Sequence, residues 1–452
     1  MATIIQTNMR KILLSVFVLF TVEIVFAQDI DTIQFAKWIT ENSIELKETE
    51  NSGFTQLADI LNDKTVIGLG ECVHGSKTIN DIRIDIAKSL FEKTDFNIIA
   101  FEMSFNTGLR LNHFLQTGQG DIEQILRESH YFLNCTEMLD FIKWMRHYNE
   151  HSDKPITLYG FDIQSNMDLV EDLLKFYEKT DKEAENLTTA LIKIFENNEM
   201  WSFRKYSEPL QDSVMKIISR LTEKHALNRK NYILNAGFVE YEYAAKRIEV
   251  LSNLLQMLNS GYGQSLIMRE SCNAELIKWI KDFEGEKSKV VLFAHIGHLG
   301  KYLWFYPRVR TLSAQGFYEY FPEKFTTGHY LNEIFDDQYY VIGTQFGSGF
   351  FMGFDPDNDF VLSKLEVTPP EQNTFTHLLQ QAANKSPYFI DLRNSYKSIT
   401  RQEIDYLRSL QSFYKIGAAY DYKYAKARLI EYFDAIIYID KIEESDLLEF
   451  EE

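Results

Sequence analysis

Short, mainly apolar runs alternate along the chain with longer stretches in which apolar residues recur every three or four positions. Four runs are Thr65-Val66-Ile67-Gly68-Leu69-Gly70, Phe96-Asn97-Ile98-Ile99-Ala100-Phe101, Ile156-Thr157-Leu158-Tyr159-Gly160-Phe161 and Val290-Val291-Leu292-Phe293-Ala294. Each is too short for a helix and has no polar face, so each predicts a strand buried on both sides. The amphipathic stretches between them predict crossover helices, the βα pattern of a mostly parallel sheet. A helical lead-in precedes the pattern at Phe35-Ala36-Lys37-Trp38-Ile39 and Leu57-Ala58-Asp59-Ile60-Leu61.

From Ser165 to about Lys287 the strand signal disappears. Val170 to Tyr177, Ala190 to Phe195, Val214 to Leu221, Tyr241 to Leu258 and Leu266 to Ile280 all keep helical spacing, which predicts a helical insertion. Beyond His298, Tyr339 to Gln345, Gly349 to Phe354, Phe360 to Leu365, Tyr388 to Leu392 and Ala435 to Asp440 read as strands, with helices such as Phe375 to Ala383 among them. Asp355-Pro356-Asp357-Asn358-Asp359 and Pro369-Pro370 punctuate this part as turns. The expected fold is α/β: a mostly parallel sheet core begun over residues 28–164, a helical insertion over 165–287, and completion of the core with a smaller α+β portion over 288–452.

The first 27 residues read as an address. Arg10 and Lys11 precede the apolar run Ile12 to Phe26, which ends in Val25-Phe26-Ala27-Gln28 and is interrupted by Glu23, so cleavage after Ala27 is expected from either start, Met1 or Met9. The mature protein is then secreted, or periplasmic in a Gram-negative source, and meets the membrane only for export. A formal net charge of −19 disfavours nucleic acid and anionic lipid as partners. With only Cys72, Cys135 and Cys272, no disulfide framework or paired-cysteine metal motif can be written, although an oxidised Cys72–Cys272 pair is conceivable after export. Aromatic residues at 14% suit a pocket for a bulky, partly apolar ligand as well as a core. No oligomerisation signature is present.

Chemistry concentrates where the predicted strands end. The first strand runs into Glu71-Cys72-Val73-His74-Gly75, the second into Glu102, the third into Asp162 and the fourth into His295-Ile296-Gly297-His298. In open α/β sheets ligands bind beyond the carboxyl ends of the strands, so these side chains are placed to share one cleft. A neutral His held by a carboxylate is a general base for water, a role that supplies roughly 10²- to 10⁴-fold in rate. Arg83, on the helix after His74, and Arg269 are candidate cations for an oxyanion or a carboxylate; the alternative for Arg83 is a helical salt bridge to Asp85 or Glu102. Glu71, His74, Glu102, His295 and His298 also include zinc-ligand types, but HExxH spacing is absent. No Gly-x-Ser-x-Gly elbow occurs, and Cys72 reads as a buried thiol rather than a nucleophile.

Taken in order, Gly70-Glu71-x-x-His74-Gly75 with Arg83, Phe101-Glu102, Trp144-x-Arg146-x-Tyr148-Asn149, Gly160-Phe161-Asp162-x-Gln164, Arg269-Glu270 leading to Ala274 and Trp279, and Val291 to His298 resemble the motifs of the erythromycin esterase family. Weaker likeness continues through Ile342-Gly343 and Phe433-Asp434-Ala435. The resemblance implies a hydrolase that opens an ester, typically a macrolactone, with water activated by the motif His and with no required metal or other cofactor. It implies His74 as base, Glu71 as its orienting carboxylate, Glu102, His295 and His298 in the cleft, and Arg83 and Arg269 as its cations. Asp162 and Glu270 are expected to line the substrate cleft. The chain departs from the family pattern at Glu270 (family Asp), Asn273 (family Met), Leu276 (family Asn) and Ile296 (family Asn), changes that alter the cleft lining and leave the Glu71–His74 pair intact.

The expectation is an exported esterase acting on a small-molecule ester or lactone, with macrolides the family's named substrates. The alternatives are a metal-dependent hydrolase using the same cleft and a non-enzymatic envelope protein that binds a bulky ligand.

Overall fold

A computed structural model describes residues 32–47, 53–164, 167–302, 326–382, 387–393, 399–419 and 423–448. The expected leader over residues 1–27 lies outside the described residues. In chain order the strands are β1 (Ile44–Glu45), β2 (Val66–Glu71), β3 (Ile98–Ser104), β4 (Thr157–Asp162), β5 (Val290–His295), β6 (Tyr339–Asp355), β7 (Val361–Val367), β8 (Tyr388–Asp391), β9 (Leu410–Tyr414), β10 (Tyr424–Arg428) and β11 (Ala435–Ile442). One sheet carries the order β1-β8-β11-β6-β2-β5-β3-β4, with β7 added to β6; β9 and β10 form a separate hairpin. From β11 to β4 every pairing is parallel, whereas β8, β1 and β7 are antiparallel additions. The chain has the α/β fold with a mostly parallel sheet.

The apolar runs form the middle of this sheet because nothing in them needs water. Val66, Ile67, Ile98, Ile99, Leu158, Val290 and Val291 are fully buried, and helices such as Lys77–Lys93 and Thr136–His151 connect successive parallel strands. Register then aligns the strand ends. Gly70 pairs with Ala294 and Glu71 with His295, while Phe101 pairs with Phe293, so Glu71, Glu102 and His295 emerge side by side. The β3–β4 ladder shifts register between Phe101 and Ser104, an irregularity that re-aims Glu102 at the point where β3 meets the site.

Backbone contact also holds the sheet's far edge. A Cβ on Gly108, in the helix Phe105–Thr117, would lie 1.9 Å from the Gly160 nitrogen, and one on Gly160 would lie 2.0 Å from the Ser104 carbonyl oxygen. Glycine at 108 lets this helix rest on β4, and glycine at 160 lets β4 lie against the end of β3.

Between β4 and β5 the described chain runs through the helices Asp168–Thr180, Lys182–Asn198, Glu208–Leu227, Arg229–Ala236, Phe238–Asn259 and Tyr262–Glu284, joined in part by a short 3₁₀ turn, Met200–Lys205. None of the described helices is long and apolar enough to cross a membrane. Two features of the second half differ from the sequence reading. Tyr339 to Gln345 and Gly349 to Phe354 belong to one strand, β6, because the ladder passes from β11 to β7 at Gly349, whose φ of +134° accommodates the change without a loop. The β9–β10 hairpin was not expected, since Tyr424-Ala425-Lys426-Ala427-Arg428 has the composition of a helix surface and its partner Leu410 to Tyr414 is short.

Candidate active site

The turn after β2 holds the first functional pair. Glu71 Oε1 lies 2.8 Å from His74 Nδ1, and both side chains are buried. The ring nitrogen facing a carboxylate must be the donor, so Nδ1 carries the proton and Nε2 is left as an acceptor, with no hydrogen-bond partner among the described residues. Phe132 stacks on the imidazole, with ring centroids 4.1 Å apart, and His130 stacks in turn on Phe132 at 5.2 Å.

Arg83 fixes the other side of Glu71. Its guanidinium donates to Glu71 Oε2 at 2.6 Å, to Asn80 Oδ1 at 2.5 Å and to the Leu69 carbonyl at 3.3 Å, and it lies over the Phe293 ring. The sequence alternatives, Asp85 and Glu102, are not its partners in these bonds. The fold selects Glu71 because the helix Lys77–Lys93 begins directly after the Glu71–Ser76 turn and brings Arg83 back under the end of β2.

A second cluster lies beside the first. His298 sits between two carboxylates, with Nε2 3.1 Å from Glu102 Oε1 and Nδ1 2.7 Å from Glu270 Oε1. Burial works against its charge, but Glu102 and Glu270 prevail and push its pKa up to about 10, so it is an imidazolium at neutral pH. Burial likewise opposes ionisation of Glu102; the His298 imidazolium and Arg269 outweigh it and hold that carboxyl well below the usual carboxylate range. Glu102 Oε2 also accepts the His295 backbone N–H at 2.8 Å, and Glu270 Oε2 accepts the N–H and hydroxyl of Thr327 at 2.8 and 2.7 Å. Arg269 makes a two-pronged contact with Asp162, and its guanidinium comes within 3.7 Å of Glu102.

His295 differs from both other histidines. Its Nδ1 accepts the Gly297 N–H at 3.1 Å, leaving Nε2–H to face the Cys72 carbonyl at 3.4 Å. Burial and the Lys415 ammonium together hold it well below the usual imidazole range, so it is neutral. Its ring centroid is 5.1 Å from that of His74. The sequence-selected residues Glu71, His74, Arg83, Glu102, Asp162, Arg269, Glu270, His295 and His298 are thus linked through direct contacts into one centre at the strand ends.

Lys415 belongs to this centre as well, and no local pattern around Tyr414-Lys415-Ile416 marks it. Phe132 and Asn80 were similarly invisible. The Trp144-x-Arg146-x-Tyr148-Asn149 motif, by contrast, serves the scaffold. Arg146 donates to the Leu115 carbonyl, Tyr148 to that of Phe91, and Asn149 exchanges bonds with the Ile156 backbone at the start of β4, the end of the sheet away from the site. Cys72, Cys135 and Cys272 are all free, and burial pushes the Cys72 thiol up to about 12, which leaves it unreactive at neutral pH.

Of the histidines suggested as metal ligands, His298 uses both nitrogens on carboxylates and His295 uses Nδ1 on Gly297 and Nε2 on the Cys72 carbonyl, which leaves His74 Nε2, among the described residues, as the one open imidazole acceptor of the three. Among the described residues, the His/Cys/Asp/Glu group whose ligand atoms gather within 4.8 Å of one another is the exposed His147, Glu150 and His151, on the helix that ends just before β4. The donor set at the strand ends therefore fits proton transfer and charge stabilisation better than metal ligation.

An α/β sheet that presents a carboxylate-oriented imidazole, with buried cations beside it, at the carboxyl ends of its strands has the layout of an enzyme cleft. The erythromycin esterase family model matches residues 91–442, and the chain belongs to that family. It is 23% identical over 451 residues to the type II erythromycin esterase of Escherichia coli, covering 92% of this chain and all of the relative. The fold matches a crystal structure of a Bacillus cereus protein with a TM-score of 0.79 at 21% identity, covering 93% of this chain and all of that one. It also matches an erythromycin esterase mutant in its open conformation, with a TM-score of 0.66 at 16% identity over 90% of this chain and all of the other. Family membership supports a hydrolase with a small-molecule substrate.

Proposed function

We propose that this protein hydrolyses a carboxylic ester or lactone with water activated by His74. The observation that carries the reading is the Glu71–His74 pair: Nδ1 is held by a carboxylate at 2.8 Å, and Nε2 is an acceptor with no partner among the described residues. His74 takes the water proton at Nε2 while the water oxygen attacks the ester carbonyl. Glu71, itself held by Arg83, stabilises the imidazolium that forms. The developing oxyanion needs a donor; His298 spends both of its N–H groups on Glu102 and Glu270, so we assign that role to Arg269, the guanidinium shared between Asp162 and Glu102.

We further propose that the chain is cut after Ala27 and acts outside the cytoplasm. The Arg10-Lys11 start, the apolar run and the small residue at position 27 support this. The intact mass of protein secreted by cells expressing the full chain tests it; a product retaining residues 1–27 would refute it.

The activity is tested by mass spectrometry of macrolides and simple esters incubated with purified protein, with and without chelator, beside His74→Ala. The expected product gains the mass of one water in chelator and is absent with the variant. Stoichiometric binding without product would instead identify a ligand-binding protein.

A further inference from the structure

Lys415 follows β9 and enters the site from the hairpin side. The residues after it are bonded to the catalytic turn: Ile416 and Gly417 donate their N–H groups to the Cys72 carbonyl at 2.7 and 3.4 Å, and His74 donates its backbone N–H to the Gly417 carbonyl at 3.2 Å. Val73 and Gly417 form a parallel bridge. The position of Lys415 is therefore coupled to that of His74 through main chain.

The side chain is 5% exposed and runs past Gly297. A Cβ on Gly297 would stand 2.8 Å from Lys415 Cε and 3.0 Å from its Nζ, and the same point is 2.8 Å from His295 Nδ1. Glycine at 297 thus opens the path by which the ammonium reaches the centre. There it stands beside His295, whose ring neighbours His74, and the carboxylates acting on it are Glu270 and Glu102.

Cleavage of an alkyl ester expels an alkoxide, which needs a proton as the C–O bond breaks. The other donors of the centre are ill suited to give one. Both nitrogens of His298 are engaged by carboxylates, His295 directs its Nε2 proton at the Cys72 carbonyl, and Arg83 and Arg269 keep their protons. We propose that Lys415 is the catalytic residue that protonates the departing alcohol, an assignment that rests on the ester-hydrolase reading above. Burial supports it by bringing the ammonium down to about 7 against the pull of Glu270 and Glu102, close to the optimum for an acid working at neutral pH.

The step balances. Water gives one proton to His74 Nε2 and its hydroxyl to the carbonyl carbon; the tetrahedral intermediate collapses to the carboxylic acid as the C–O bond breaks; the alkoxide takes a proton from Lys415 Nζ. Solvent then carries the proton of the His74 imidazolium to the neutral Lys415 amine, and the enzyme is restored.

Leaving groups of different basicity test the assignment, because a nitrophenolate departs without a proton. The ratio of kcat/KM for an alkyl ester to that for the para-nitrophenyl ester of the same acid is measured in wild type, Lys415→Met and Lys415→Arg. The ratio is independent of the folded fraction. The expected result is a fall in this ratio by roughly 10²- to 10⁴-fold in both variants. Wild type is expected to lose alkyl-ester activity above about pH 7, a limb missing from the para-nitrophenyl ester profile. An equal loss on both esters, or recovery by Lys415→Arg, overturns proton donation, the second in favour of a fixed charge. Wild type inert on both esters overturns the hydrolase reading and the assignment with it.

Discussion

Replacing Glu71 by Gln probes the centre with almost no change in shape, and the structure decides which way the amide must face. Glu71 Oε2 accepts from Arg83 at 2.6 Å and Oε1 accepts from His74 at 2.8 Å. If the new NH₂ group faced Arg83, a guanidinium that is 3% exposed would meet a donor in place of an acceptor, which costs about 1 to 3 kcal/mol beyond the charge that either orientation removes. If it faces His74 instead, the imidazole must accept at Nδ1, and only the tautomer preference of a neutral ring is lost, on the order of 1 kcal/mol. The second arrangement wins. It moves the ring proton to Nε2, so the nitrogen facing the attacking water becomes a donor and cannot act as base. A wrong tautomer of this kind lowers kcat by about 10⁴-fold in a comparable carboxylate–imidazole pair. Glu71→Gln is therefore expected to lose about 3 to 5 kcal/mol of stability, the cost of leaving the buried Arg83 guanidinium without its charge partner, while turnover per folded molecule falls by roughly 10³- to 10⁴-fold. Steady-state kinetics on any accepted ester, a denaturant melt and ¹⁵N shifts of the His74 ring measure the three quantities. A variant with Nε2 protonated and turnover near wild type would refute His74 as the base.

Three other outcomes are expected. His298 has its folded-state pKa raised from about 6.5 to about 10, so its contribution to stability is complete below about pH 6.5 and is lost as pH rises through 10. Denaturant midpoints should decline over that window in wild type and stay flatter in His298→Asn; equal slopes would remove the Glu102–His298–Glu270 cluster from the account. Gly160→Ala would drive a Cβ against the Ser104 and Met103 carbonyls at 2.0 and 2.6 Å, both backbone atoms, and should lower stability by at least about 1 to 3 kcal/mol; an unchanged urea midpoint contradicts the close approach of β4 to the end of β3. Alkylation of native protein should label the half-buried Cys272 ahead of the buried Cys72 and Cys135, and Cys72→Ala should keep its ester activity; abolished turnover would reinstate a thiol nucleophile.

Local pattern carried much of this protein. A strand buried on both faces leaves an unbroken apolar run, so β2, β3, β4 and β5 were visible within two or three residues of their ends, and the residues after them could be named before their partners were known. Gly349 hid the continuity of β6 because a glycine pair reads locally as a turn, and the pairing with β11 and β7 that carries the strand through lies far away in sequence. The Ala- and Lys-containing β10 was hidden for the converse reason: its propensity favours helix, and only β9 makes it a strand.

What the sequence determined by itself is the alternation that makes the sheet, the ionisable residues at its strand ends, and the glycines that let chain segments touch. What tertiary structure decided is pairing. Register set Glu71 beside His295, the helix after β2 gave Arg83 to Glu71 rather than to Glu102, and a hairpin more than 300 residues along the chain brought Lys415 past Gly297 to the same centre. Side-chain type is a local property, whereas charge state and tautomer depend on neighbours within a few ångströms. Three histidines of one kind thus became a ring oriented through Nδ1 by Glu71, a neutral ring bonded to Cys72 and Gly297, and an imidazolium between two carboxylates.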